Sequence, residues 1–538
     1  MSSLARSAIN LTFAEVNVKQ TSKNIDAGSK PPTASVGDDV TWQISESLAD
    51  SQPGLIGFTS VLLVLLYGYE IFNFSLSIDE ELVSDFTWWK MYIEHGSWSN
   101  GVLTRVLPTV GNVPMLATVI FCVGLGFSAC VLARLFFVNQ AAQFAFVSIF
   151  VSSPFWPHLA EFNISSWGTG FGLSLLALSL LLFYSNMRFR YLLAVLSLMI
   201  ACGFAQTFAV LFLTAVCLHQ LAVLIEASPI RSTKFVWVRG GFITAAALGG
   251  YLVVQLILLR VLSLRLVHVQ MYFGPRRFMM SPGETTYTVI RSIGGVLSGV
   301  HPAFFGYGKL FVLLPLLGAL LLLAKILYVA PLTRSKQILA VVLCVVVLLL
   351  GLSPIIVTGA VTPVRILYTL TPIYAFLTAV TFLTDSKLLK PLYLALGLTL
   401  FVSVWVSVSL FYTDHLVRQR DQVLAVRIMA RVDQVVPNPQ SRIPFVLVGA
   451  PPATSDGPFR KLEVFGDSYF DTNHEHGNPF RLAAYLKSLG IDTLEPHPFG
   501  DAARYRSTIE GMPVWPASGS IAIVNGFLVI KLGKTLPP

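Results

Sequence analysis

The sequence predicts a mainly α-helical membrane protein, a polytopic bundle of about eleven spans followed by a small C-terminal α/β domain. Three observations carry this prediction. Of the 538 residues, 54% are hydrophobic and only 12% charged, against the roughly 25% charged typical of soluble domains, and mean hydropathy is +0.70. Apolar runs of membrane length recur between residues 54 and 412, without the short alternating segments of a membrane barrel. Beyond residue 412 the pattern changes to helix-spaced apolar residues among charges, and then to short β-like runs.

Residues 1–53 are polar, with Pro31-Pro32 and the acids Asp38, Asp39 and Glu46, and read as a tail. Because about fifty polar residues precede it, the run Leu55 to Phe72 reads as an uncleaved signal anchor. Spans follow near 54–73, 113–137, 141–156, 168–186, 190–205, 208–226, 240–260, 308–328, 337–357, 366–384 and 391–412. All five cysteines lie inside apolar runs, so no disulfide framework is expected.

Net charge is +9, but the placement of the basic residues says more than their sum. Alternate loops carry Arg134; Arg188 and Arg190; Arg231, Lys234 and Arg239; Arg334 and Lys336; Lys387 and Lys390. Loops 157–167 and 206–207 between them carry neither Lys nor Arg. The basic loops are therefore placed in the cytoplasm, with the N-terminus inside and residues 413–538 outside. The outer loop 261–307 departs from this rule with Arg265, Arg276, Arg277 and Arg291, either a set suited to an anionic ligand or the charges of a long loop, which weigh little in topology.

In the C-terminal part, Tyr412 to Val436 has helical spacing, Ile443 to Val448 reads as a strand, and Pro479 to Leu489 as a helix stopped by Gly490. Ser520 to Leu532 reads as a hairpin turning on Asn525-Gly526 in a type I′ turn. No phosphate-binding glycine loop or nucleotide fingerprint occurs, and no nucleic-acid partner is expected.

The first outer loop reads Ser77-Ile78-Asp79-Glu80-Glu81, with Trp88, Trp89 and Trp98 following. Adjacent carboxylates at a membrane face can include one whose pKa rises through partial desolvation and mutual repulsion, as a general base near neutral pH requires. The plain alternative is a solvated acidic loop beside an aromatic belt. Glu161 either faces the same cavity or is a lone loop carboxylate; Gln206 either meets a sugar hydroxyl or ties a local turn. Arg365 offers a planar fork for phosphate oxygens, or snorkels to the interface. Gly466-Asp467-Ser468 and Asp471 to His474 look like two blocks of a hydrolase, but lie too close together to form a triad from distant segments. His474 and His476 lack further metal ligands.

In order and topology these features resemble the Gtr-type glucosyltransferases of bacterial O-antigen modification, integral membrane enzymes of the GT-C class. The resemblance rests on Asp79-Glu80 after the first span with Trp98 downstream, Pro154-Phe155 with Glu161, Gln206, Pro363-Val364-Arg365, and the ending Met512 to Ser520 through Val529-Ile530-Lys531. It covers most of the chain from about residue 54 and leaves the tail outside. It implies a GT-C-like catalytic domain over 54–412 and a periplasmic α/β domain over 413–538, in a bacterial inner membrane. The implied reaction is inverting transfer of a hexose, typically glucose, from a polyprenyl-phosphate carrier to a lipid-linked O-antigen (lipopolysaccharide) repeat, the chemistry of serotype conversion. Asp79 or Glu80 would be the base, and Arg365, Arg291 or Lys531 would meet the donor phosphate. Glu161, Gln206, Trp98 and Glu81 would line the sugar and acceptor. No metal or other cofactor is required by this chemistry. Partners would be membrane lipid, a flippase and a cytoplasmic polyprenyl-phosphate-sugar synthase. Two other readings are a polymerase or ligase using a polyprenyl-pyrophosphate-linked glycan, favoured by the basic outer loop, and a lipid-sugar flippase or transporter.

Overall fold

A computed structural model describes residues 53–73, 75–81, 88–107, 113, 115–225, 228, 235–267, 282–329, 332–358, 363–383, 386–436, 442–451, 465–471 and 477–536. The tail up to residue 52, Arg231, Lys234, Arg276, Arg277, His474 and His476 lie outside the described residues. Helix α1 (Pro53–Phe72) opens on proline, whose missing N–H costs nothing in a first turn, and carries one charged residue, Glu70, near its far end. Two short helices, α2 (Trp88–Glu94) and α3 (Trp98–Val106), precede α4 (Leu116–Phe136), α5 (Gln140–Val151) and the single turn α6 (Pro157–Ala160). Then come α7 (Asn163–Tyr184), α8 (Arg190–Phe204), α9 (Thr207–Leu224), α10 (Val236–Val261), α11 (Pro282–Ser298), α12 (Gly308–Ala324) and α13 (Arg334–Thr358). A 3-10 turn (Val364–Leu370) leads into α14 (Thr371–Thr381), and α15 (Ser386–Val435) closes the bundle.

Among the described residues, nine helices are long and apolar enough to cross a membrane. The sequence expects about eleven, and α5 and α8 account for the difference. With 12 and 15 residues they reach roughly 18 and 22 Å, short of a hydrocarbon core of about 30 Å. A second departure is α15. Its 50 residues extend about 75 Å, so the expected last span and the expected helix after it form one rod that runs unbroken through residue 412. No glycine or proline lies between Gly397 and Val435 to end it.

Inside a bilayer the spans gain little from hydrophobicity and are held by close contact and interhelical hydrogen bonds. Helices α4 and α7 cross at Gly124 and Gly170, so closely that a Cβ on Gly124 would lie 2.0 Å from the Gly170 carbonyl oxygen. One turn further, Ser128 Oγ donates to the Leu173 carbonyl at 2.7 Å. Gly318 of α12 meets the Leu377 carbonyl of α14 in the same way. The outward faces of α10, α12 and α13 expose Leu252, Leu256, Leu320 and Leu349, as lipid-facing helices do.

The C-terminal part holds a four-stranded sheet in the order β2-β1-β4-β3. Strand β1 (Ile443–Val448) lies parallel to β2 (Leu494–Pro496) and to β4 (Phe527–Lys531), and β3 (Ile521–Val524) runs antiparallel to β4. Asn525 and Gly526 have φ of 46° and 89°, the two positive values a type I′ turn demands. Helix α16 (Pro479–Ser488) starts under an Asn478 cap that accepts the N–H groups of Phe480 and Arg481, and ends just before Gly490. Helix α17 (Arg506–Gly511) completes the layer. The sheet shares its core with the outer half of α15 through Ala425, Ile428 and Val432, and Ile78 enters the same core.

The glycine crossing yields a direct test. Gly124→Ala should overpack α4 against α7 and cost about 1–3 kcal/mol, seen as a lower melting temperature of the solubilised protein. Gly249→Ala, where nothing lies within 4 Å of the new methyl group, should leave it unchanged or slightly higher.

Candidate active site

The chain leaves α1 just after Glu70 and makes a turn over Ser75–Glu81. Asp79 adopts φ +82°, a left-handed conformation that non-glycine residues take at a cost of roughly 1–2 kcal/mol. Asp79 remains 37% exposed in its side chain, whereas Glu80 and Glu81 are buried. The carboxylate of Glu80 accepts the Ser77 N–H at 2.8 Å on one oxygen and the Ile164 N–H at 3.3 Å on the other. Burial pushes its pKa up to about 8, against the opposing pull of these N–H groups. Glu81 is raised by burial too, and the Arg481 guanidinium works against that rise. Arg481 donates one arm to Glu81 Oε1 at 2.6 Å and the other to Asp79 Oδ1.

The segment from Ser152 to Ile164 forms the facing wall. Trp156 donates its indole N–H to the Phe150 carbonyl at 2.6 Å and stacks on Tyr368. The buried His158 ring lies flat on Phe305, with ring centroids 5.5 Å apart. Burial, with Arg365 and His301 nearby, lowers His158 to about 3, so the imidazole is neutral. Glu161 is also buried. Desolvation first, then repulsion from Asp414, Glu70 and Glu80, raises its pKa well above the ordinary carboxylate value. Arg365, half-buried on the 3-10 turn, holds its guanidinium 4.9 Å from the centre of the Phe162 ring. Residues 161–164 thus link Arg365 to Glu80.

Helix α15 supplies the third wall. Arg418 bridges Asp414 at 3.2 Å and Asp421 at 3.1 Å, lies over the Tyr469 ring at 4.4 Å, and donates to the Asp467 carbonyl. Ser468 Oγ donates to Asp421 at 2.6 Å, and the Tyr469 and Gly466 N–H groups bond Asp421 and Asp414. The block that looks hydrolytic in sequence is therefore a docking loop on α15. Its Tyr469 hydroxyl reaches on to the Ser77 carbonyl at 2.7 Å and so holds the acid turn.

Asp79, Glu80, Glu81, Glu161 and Arg365 are brought together; four other expected residues stand apart. Trp98 is buried against Gly203 of α8. Gln206 donates to the Gly96 carbonyl at 2.8 Å and to the Tyr251 hydroxyl at 2.7 Å, tying a local turn. Lys531 gives its three N–H groups to the carbonyls of Ile509, Glu510 and Met512 at 2.8–2.9 Å, which caps α17. Arg291 is exposed on α11, which packs chiefly on α12 and α13. Conversely, Glu70, His158, Asp414, Arg418, Asp421, Tyr469 and Arg481 were not expected at the site. Glu70 had a signal, being the lone charge in an apolar span, and so had Asp414, Arg418 and Asp421, by their i, i+4 and i, i+3 spacing.

Beside this centre, Leu66, Tyr67, Phe304, Phe311, Val402 and Val406 line a small, open and mainly apolar hollow that reaches Pro154 and Pro157. Among the described residues, no three His, Cys, Asp or Glu side chains converge as a metal site would require. Arg418→Met would strand two buried aspartates and should cost about 3–5 kcal/mol; the check is loss of the monodisperse solubilised protein or a large fall in its melting temperature.

The profile of the glucosyl transferase GtrII family matches residues 68–384. No curated protein and no solved structure matches the chain. The matched region begins two residues before Glu70, spans the acid turn, the 152–164 wall and Arg365, and ends just after α14. It covers more than half of the sequence, so the chain belongs to the GtrII family of glucosyltransferases, and nine membrane-length helices among the described residues make it a membrane protein.

Proposed function

We propose that the protein is an inverting GT-C-type enzyme that moves glucose from a polyprenyl-phosphate donor to a hydroxyl of a lipid-linked O-antigen repeat at the periplasmic face of a bacterial inner membrane. The reading is carried by the division of roles among three consecutive acids. Arg481 ties up Asp79 and Glu81 as its two ion-pair partners, while neutral N–H groups hold Glu80 and burial raises its proton affinity towards neutral pH. A base works best with a pKa near the operating pH. In the step, the acceptor oxygen attacks the anomeric carbon opposite the phosphate, and its proton passes to Glu80. The bond between that carbon and the phosphate oxygen breaks, its electron pair leaving with the phosphate, which turns from diester to monoester. Arg365 meets the charge that develops there, while the neutral His158 beside it adds none.

Two further observations support this reading. The small hollow next to Pro154 and Pro157 offers the isoprene chain of a lipid donor an apolar surface beside the acids. Two loops at the acidic end, 157–167 and 206–207, carry no Lys or Arg, while the loops at the other end do, with 261–307 the exception already noted. With α5 and α8 counted as short crossings, the total of eleven leaves the N-terminus in the cytoplasm and the sheet in the periplasm. A flippase and a cytoplasmic synthase would supply the donor.

The reconstituted protein, offered radiolabelled polyprenyl-phosphate hexoses, should transfer glucose to a lipid-linked repeat. Transfer only from a pyrophosphate-linked glycan would point to a polymerase or ligase instead. Glu80→Gln should lower kcat by roughly 10²–10⁴ without unfolding. In the wild type, kcat/KM should climb about tenfold per pH unit and level off above about pH 8, because Glu80 acts only when deprotonated. Full activity in Glu80→Gln would remove it from the chemistry.

A further inference from the structure

We propose that Arg481 is a positioning residue for transfer: its two-armed grip on Asp79 and Glu81 fixes the acid turn, so that the C-terminal sheet region, beyond the matched 68–384, forms part of the active centre. This rests on the reading of Glu80 as the base.

The geometry points to a clamp. The two arms reach the residues immediately before and after Glu80, so Glu80 cannot rotate its backbone without breaking one of them. Arg481 is itself fixed: it sits in the first turn of α16, its N–H bonded to the Asn478 cap, and its side chain is 20% exposed. The turn it grips is unfavourable alone, since Asp79 takes a left-handed φ without being glycine. Glu81 is buried and would lose the guanidinium that acts on it most strongly, which favours rearrangement of the turn. Arg418 also acts on Glu81, but more weakly than Arg481, and is already shared between Asp414 and Asp421. The Asp79–Arg481 edge is the more exposed side of the turn. Ile78 buried in the sheet core and the Tyr469 bond to Ser77 tie the same turn to the same region, so docking of the sheet and placement of Glu80 are one event.

The test is steady-state kinetics of the full-length protein on the labelled donor and acceptor. Arg481→Ala should lower kcat roughly ten- to a hundredfold, since a misplacement of about 1 Å can cost that much, with KM for both substrates within about threefold of wild type. Arg481→Lys keeps the charge but offers a point ammonium in place of a fork, and should restore kcat only part of the way. Arg442→Ala, which breaks an exposed pair with Asp492 in the same region, should behave as wild type. Wild-type turnover in Arg481→Lys would overturn the clamp even if Arg481→Ala failed to fold. An unchanged kcat with a raised acceptor KM in Arg481→Ala would overturn it in favour of a plain binding contact. An active Glu80→Gln sinks the base reading itself, whereas an inactive Glu80→Gln beside wild-type Arg481 variants sinks only the clamp.

Discussion

The burial of negative charge at one end of a membrane bundle is the constraint on which the site depends. Glu70, Glu80, Glu161 and Asp414 are all nearly inaccessible and lie within electrostatic reach of one another. A buried ion without a partner costs several kcal/mol, so each acid needs a cation, N–H donors or a proton. The chain uses all three. Arg418 answers Asp414 and Asp421, Arg481 answers Glu81, and backbone N–H groups with a bound proton answer Glu80. Linkage follows with a definite sign. Glu80 binds its proton more tightly folded, at about 8, than at its ordinary 4.5. The stability this contributes is complete below about pH 4.5 and is lost as pH rises through 8. The group best suited to accept a proton is thus one whose ionisation the fold opposes.

That opposition is tolerable because the surrounding frame is stiff. Helices α4 and α7 touch backbone to backbone, α12 and α14 do the same, and α15 carries its register from the bilayer into the core of the sheet without a break. Its inner half packs on α1 through the bond from Ser407 Oγ to the Leu66 carbonyl, and its outer half supplies Asp414, Arg418 and Asp421. One rod therefore sets both the end of α1, where Glu70 sits, and the docking loop that holds the acid turn.

What was legible in the sequence follows from how far apart the interacting groups lie along the chain. The strand at Ile443–Val448, the Asn525-Gly526 turn, the capped helix at Pro479 and most of the spans are written in local periodicity and turn chemistry, and the structure has them where they were expected. Glu80, Glu161 and Arg365 stood out as candidates because charge is rare in such a chain. The roles expected of Trp98, Gln206 and Lys531 were not: each sits where composition suggests a ligand, yet its polar atoms or ring are taken up by groups within its own surroundings, a carbonyl at Gly96, three carbonyls at the end of α17, or the backbone of Gly203. The join between the expected last span and the helix after it was hidden because the charges from Asp414 onward mimic a boundary, while the backbone has no residue that would make one. Arg481 left no trace at all, since its partners are 400 residues away and nothing near it in sequence marks it.

The division of the centre across the chain has a physical consequence. Glu70, the acid turn, Glu161 and Arg365 lie within the region shared with the GtrII family, but the cations that answer the acid turn and Asp414 come from α15 and α16, beyond residue 384. Without that part, Glu81 would be buried against no guanidinium and Ile78 would lose its core, and the turn would have to open or take up protons to survive. An opened turn would let water at Glu80, and desolvation is what lifts its pKa towards neutrality. The sheet therefore acts on the acid turn from a distance: by excluding water and fixing charge, it keeps the proton affinity of Glu80 near neutral pH, as the proposed base requires.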